Sequence, residues 1–413
     1  PGWNFVLGSQ NPNIRFKAAE NDWLVKSSSI TIPFSQIATK SITGRANLEP
    51  TADFKIQLDI KKDVTDGYQE IFRYDNMENN YLSLNPSRYG SYKISTISIN
   101  TSFKSDNDEL VSSVFETFEE NLLAVKQKFS LANPGFEYDS ASQDVLIPAF
   151  IAAYTGKTVE KTSLSPFPKT PLPGWRIDYS GLNKIESLKD KFQSITISHG
   201  YSSTYSVLNF SNSLQYADVG DVGIDVPIGK YNNGIYSKLI NDSGSPVPIY
   251  VISQVLISEQ FSPLIGINLR TKSRVTARAE YKTKRELALN VSNAQVTEVN
   301  SKDVSIEMGY TKNNMKMPIK SQGRTVVLKN DVTFRLNLTV SDQSTIQRKI
   351  DELNVLTNGN INFQLRPNIS YVVNQKLNVQ AYFERTINEP QVSNSFRRST
   401  TRFGFQVRFS LAQ

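Results

Sequence analysis

The sequence predicts an all-β fold: an antiparallel transmembrane β-barrel segment, part of a very large barrel, carrying a partly helical insertion. Three observations predict it. The final stretch, Thr401–Leu411, places Phe403, Phe405, Val407, Phe409 and Leu411 on one parity and Arg402, Gly404, Gln406, Arg408 and Ser410 on the other. Side chains alternate faces along a strand, so one face is wholly apolar and the other polar or cationic. Its length is about twice that of a globular strand and suits the roughly 9–11 residues that cross a bilayer in a tilted barrel strand. The same alternation recurs almost unbroken from Arg274. Finally, a mean hydropathy of -0.37, with no uncharged apolar run of 18 residues, excludes a transmembrane helix. It leaves room for alternating strands, which average out in any hydropathy window.

Taken in order, the chain divides into residues 1–103 (strands and loops), 104–191 (a partly helical, proline-rich insertion) and 192–413 (strands to the closing one). In the first part, Ile30–Phe34 reads as extended, with Pro33 arguing against a central strand. Ala52–Lys62 sets Phe54, Ile56, Leu58 and Ile60 against Lys55, Gln57, Asp59 and Lys61. Tyr92–Phe103 is strand-like with a phase change that suggests a bulge. From Asp106 and Asp108, both N-cap candidates, the period becomes helical through Leu110, Val114, Phe118, Leu122, Val125 and Phe129. A second helical segment, Ser142–Tyr154, is closed by Gly156. Pro166, Pro168, Pro171 and Pro173 then suit a stiff extended connector.

Alternation returns at Ser194. Ile249–Ile257 is apolar on both parities, as a strand covered on both faces would be. Val275–Tyr281 and Leu287–Val291 read as two strands with a turn near Lys282–Lys284. Asp331–Ser341 is the clearest internal strand, Asn358–Gly359 a hairpin turn pair, and Asn374–Lys376 a second turn. Glu384–Thr400 reads as a long connection. The polar parity supplies the lumen-facing candidates Arg274, Arg278, Arg335, Asn337, Arg366, Arg402 and Arg408. The apolar parity supplies the lipid-facing candidates Phe334, Leu336, Phe363, Leu365, Phe403, Phe405 and Phe409. A soluble antiparallel sandwich also alternates. Strand length, aromatics toward strand ends and the confinement of charge to one parity favour the barrel.

The absence of cysteine removes disulfides and thiolate chemistry, and a single histidine, His199, argues against histidine-based metal or triad sites. His199 lies on the apolar parity and reads as structural. Asp218, Asp221 and Asp225 match no calcium-loop spacing and read as a solvated loop. Six N-x-S/T triplets, among them the one at Asn337, read as polar pairs on one strand face. With Lys+Arg 46 against Asp+Glu 39 and no basic patch interleaved with aromatics, nucleic acid is not an expected partner. No catalytic, cofactor-binding or metal site is expected, and no enzyme activity. Pro1-Gly2-Trp3 carries no signal-peptide features, so the expectation is either that a signal peptide has been removed or, the favoured reading, that the chain is a piece of something longer.

Two stretches echo each other, Pro1–Gly8 (PGWNFVLG) and Pro173–Leu182 (PGWRIDYSGL). With His199-Gly200-Tyr201 and the closing Ser395–Phe409, they resemble the carboxy-terminal part of the SprA (Sov) family, the outer-membrane translocon of the Bacteroidetes type 9 secretion system. The resemblance implies a bacterial outer-membrane location, a single very large barrel and a pore wide enough for folded cargo. It also implies several partners: amino-terminal barrel strands from the rest of the same polypeptide, a PorV-like barrel, a periplasmic plug protein, secreted cargo proteins and the lipid bilayer. Other transport barrels, such as a porin or nutrient transporter, and a soluble or surface β-structural adhesin are the alternatives.

Overall fold

The computed structural model describes residues 3–6, 8, 11, 13–216, 239–242, 244–321, 324–374, 376–392 and 395–409; the side chains of 4, 5 and 317–326 are not described. Asp218, Asp221, Asp225, Ser410, Leu411 and part of the Pro1–Gly8 stretch lie outside these. The fold class is the predicted one: a single antiparallel sheet of barrel-wall type with a partly helical insertion. Its strands are β1 (Phe34–Thr51), β2 (Phe54–Asp75), β3 (Asn80–Thr96), β4 (Gly174–Tyr179), β5 (Phe192–Asn212), β6 (Tyr250–Ile252), β7 (Gln254–Thr271), β8 (Val275–Asn290), β9 (Gln295–Lys312), β12 (Val332–Lys349), β13 (Val355–Asn374), β14 (Leu377–Pro390) and β15 (Arg398–Phe409). A separate hairpin, β10 (Met315–Ser321) with β11 (Arg324–Leu328), stands between β9 and β12. Short helices α1 (Trp3–Val6) and α2 (Ile14–Glu20) precede the sheet.

Neighbours follow chain order from β1 to β15. Two places in the sheet are shared. β3 and β4 lie end to end between β2 and β5, and β6 precedes β7 beside β5. The result is a wall of eleven staves whose end strands, β1 and β15, do not pair with each other.

Between β3 and β4 the chain leaves the wall. It makes a 3-10 turn at Ile99–Thr101, then α3 (Ser113–Ala132), α4 (Gln143–Thr155) and a packed connector. Helix α3 forms because its apolar residues recur every three or four positions; Val114, Phe118, Leu122, Val125 and Phe129 are all buried. Every residue of α4 is buried, so it lies between α3 and the sheet, and Gly156 closes it at φ 66°, a left-handed conformation. The core they build includes Tyr92, Ile94, Tyr205, Val207, Ile257, Leu287, Leu289 and Val296 from the wall.

Several local expectations are corrected. The phase change near Ile97 is the chain's exit from the sheet after Thr96, not a bulge. Leu110, at φ 62°, lies before α3, whose N-cap is Ser112; Asp106 is spent on an ion pair instead of a cap. The proline run is packed: the Tyr205 hydroxyl donates to the Pro166 carbonyl (2.9 Å) and Phe167 is buried. Within the span read as an insertion, β4 is a wall strand. At Lys282–Lys284 there is no turn, because these lysines pair with Glu280 and Glu286 along one uninterrupted β8. Likewise Asn358-Gly359 lies inside β13 at a register shift, and the turn falls at Ile350–Asn354, with Asp351 at φ 61°. Glu384–Pro390 belongs to β14, which shortens the connection to β15. The doubly apolar Ile249–Ile257 is a strand broken at Ser253. Tyr250 and Ile252 are buried before the break and Val255 and Ile257 after it, while Val251 stays exposed.

Candidate functional site: a two-faced wall and a clamped insertion

The backbone register sorts the predicted residues onto two faces. On the polar face, one cross-strand row runs Asn268–Arg278–Glu307–Asn337–Arg366 through β7, β8, β9, β12 and β13. It continues to Glu384 and Arg402 in β14 and β15. The Arg366 Nε donates to Glu384 Oε1 at 2.8 Å, and Arg402 lies 3.8 Å from the same carboxylate. Arg278 pairs with Glu280 along its own strand. Arg335 and Arg408 share this face, one row and three rows from the belt. Arg274 does not: it sits in the β7–β8 turn at φ 68° with its guanidinium on Asn313, so it belongs to the rim instead of the wall. Alternating charges held at these spacings make a wetted surface, since the arginine of each pair is more than half exposed and such pairs contribute little stability.

Phe334, Leu336, Phe363, Leu365, Phe403, Phe405 and Phe409 all fall on the opposite face. Phe334 pairs with Ile369, Leu338 with Leu365, Val340 with Phe363, and Phe403 with Phe383. Phe403, Phe405, Val407 and Phe409 are 61–69% exposed. Nothing in the described chain covers them.

The apolar set is not level with the register. Consider the row Leu48–Ile56–Ile177–His199, continued past the β5–β7 bulge as Ile265–Tyr281–Val304–Val340–Phe363–Ile387–Ser399. In β1 this row is the lower end of the apolar set Ile42–Leu48. In β8, β9 and β12 it is the upper end, and in β15 it has passed into polar Ser399. The centre of the set lies three residues to one side of the row in β1 and seven to the other side in β15, across ten steps between strands. A drift of one residue per strand, at ~3.4 Å rise and ~4.8 Å spacing, means strands inclined by about 35° to a level band. Membrane barrels tilt their strands by about 35–45°. A sandwich core imposes no such slope.

Above the band, on the same face, two arginines hold the insertion to the wall. Arg285 of β8 donates to the Thr101 carbonyl (3.0 Å) and to Glu259 of β7 (2.9 Å). That glutamate also accepts from Ser98 and Tyr201, each at 2.7 Å. Arg348 of β12 has no exposed surface. Its Nη1 donates to the Leu110 carbonyl (2.8 Å), its Nη2 to Asp106 (2.5 Å) and its Nε to Glu298 of β9 (3.0 Å). These four charges were missed at the sequence level. Their signal was there: Glu259, Arg285, Glu298 and Arg348 are charges on the apolar parity of their strands.

His199 is structural in its contacts: its Nδ1 lies 2.7 Å from the Leu264 carbonyl, to which the ring donates, and its ring 6.0 Å from that of Phe261. Within the insertion, burial pushes the Asp144 carboxyl up to about 7. No described helix is long and apolar enough to cross a membrane. Among solved structures, OmpT, an outer membrane protein of Vibrio cholerae (trimer form, folded in vitro), is similar at 8% identity over 91% of this chain and 99% of that one. The TM-score is 0.23, too distant to carry any inference. No family model and no curated protein matches.

Proposed function

We propose that this chain forms part of the wall of a transport barrel in the bacterial outer membrane, and that the barrel is a protein-conducting channel of the type 9 secretion kind. The slope of the apolar band carries the membrane half of this reading. It is the geometry that a tilted wall with lipid on one face and water on the other requires. The wide-channel half is supported by the end strands β1 and β15, whose outer edges pair with nothing among the described residues. An open edge is not tolerated in lipid, so closure needs more than these eleven staves, and barrel diameter grows with strand number. The resemblance of the P-G-W stretches and the closing strand to the SprA family narrows the cargo to folded proteins. It also supplies the expected partners: amino-terminal strands, a PorV-like barrel and a plug. No catalytic role is part of this reading.

The chain lacks cysteine, which makes single-cysteine labelling clean. In intact outer membranes, Asn337→Cys on the polar face should react with a water-soluble maleimide, and Leu338→Cys, one residue on, only with a lipid-soluble one. Equal labelling of both by the water-soluble reagent would reject the membrane wall. Bulky cargo-sized conjugates at Asn337→Cys should block secretion while leaving small-solute passage intact. Loss of neither would reject the protein-conducting channel while leaving the barrel standing.

A further inference from the structure

Immediately above the apolar band, a cleft of about 520 Å³ opens between the insertion's exit loop and the wall. Its floor is Phe261, Leu264 and Tyr281, and Tyr281 belongs to the top row of the band. The exit loop adds Phe103, which is 64% exposed with its ring 5.3 Å from Phe261. The cleft is therefore continuous with the surface assigned to lipid.

Its upper half is charged, and the charges are unequally committed. Glu259 is paired with Arg285, and Glu298 and Asp106 with Arg348. Asp342 accepts from Gln391 (3.1 Å) and stands opposite Lys302 in the β9–β12 register, and Lys284 pairs with Glu286. Lys104 and Lys302 line the cleft, are exposed, and form no ion pair among the described residues.

We propose that the cleft holds the phosphate of a membrane lipid headgroup, with the lipid's acyl chains lying on the band below. Lys104 and Lys302 supply charge-assisted donors to the phosphate. Tyr281, an aromatic with an apolar body and a polar hydroxyl at the top row of the band, suits the level of the ester groups. A free anion would use the lysines and leave the aromatic floor uncovered; a phospholipid covers both. The inference rests on the membrane reading above.

The test uses the full protein embedded in phospholipid nanodiscs, then washed in mild detergent and examined by native mass spectrometry. Wild type should retain one phospholipid per chain through the wash, undisplaced by inorganic phosphate. The double variant Lys104→Gln/Lys302→Gln should retain it about tenfold less, with unchanged heat-modifiable gel migration as the folding control. If the double variant misfolds, each single variant serves, and retention equal to wild type in both overturns the site. Displacement by inorganic phosphate also overturns it, in favour of a free-anion site. Failure of wild type to enter nanodiscs at all would instead strike the membrane reading.

Discussion

Asp144 lies in the first turn of α4 with its carboxyl buried among the insertion's apolar residues, and burial raises its pKa from 3.8 to about 7. A raised acid pKa means the folded state holds the proton more tightly than the unfolded chain. Stability from this group is therefore full below about pH 3.8 and is lost as pH climbs toward 7, at no more than about 1.4 kcal/mol per unit. The insertion should resist thermal unfolding better at pH 5 than at pH 8, and Asp144→Asn should flatten that slope. A circular-dichroism melt at the two pH values measures it, and an unchanged slope in the variant would refute the assignment. Asp144 was invisible in the sequence because it sits in a helix-start position where acids are ordinary. Arg348 was legible in principle. It follows Ile346 at the spacing of an apolar residue, and a charge there needs partners. The sequence does not say that they would be Glu298 from the next strand and Asp106 from a loop more than two hundred residues away.

At the level of the element, β15 is the cleanest test of the two-faced wall. Phe405→Arg puts a guanidinium on the apolar face and should cost roughly 2–4 kcal/mol, whereas Gln406→Arg, next along the strand, should cost close to nothing. Urea titration of the membrane-embedded protein compares them, and equal costs would mean that lipid does not lie on either face. The strands were readable wherever only one face was in contact with a single environment, as in β12 and β15. They were misread where the apolar face changed partner along one strand. In β8 the residues Val275–Tyr281 face the band, while Leu287 and Leu289 face the helices, with Arg285 between them. A change of environment midway looks, in one dimension, like a turn. The same holds for β3, whose last residues Tyr92 and Ile94 pack on the insertion before the chain departs.

For the whole molecule, the slope of the band fixes more than any strand does. Alternation gave the fold class, but the slope is a property of the register across eleven staves, and no single strand contains it. It also sets a prediction for closure. Cysteine pairs placed on β1 and β15, for example Ala46→Cys with Phe405→Cys, should not form a disulfide in the embedded protein under oxidation. On the wide-channel reading proposed above, the intervening wall comes from other strands. Efficient cross-linking of that pair, read by gel mobility, would show the eleven staves closed on themselves and would refute the wide channel.

The stave shared by β3 and β4 has a consequence for how such a wall can be built. A meander can assemble hairpin by hairpin, each new strand finding its neighbour nearby in the chain. Here β2 and β5 are joined through two half-staves separated by an entire folded unit. The lower half takes its place only where the chain, having left the wall through α3 and α4, brings Gly174 back beside Asp59. The insertion is thus the link that joins the two halves of one stave, as well as a mass packed beside it. Without β4 in place, the wall has a gap at the lower end of that stave, with the edges of β2 and β5 unsatisfied.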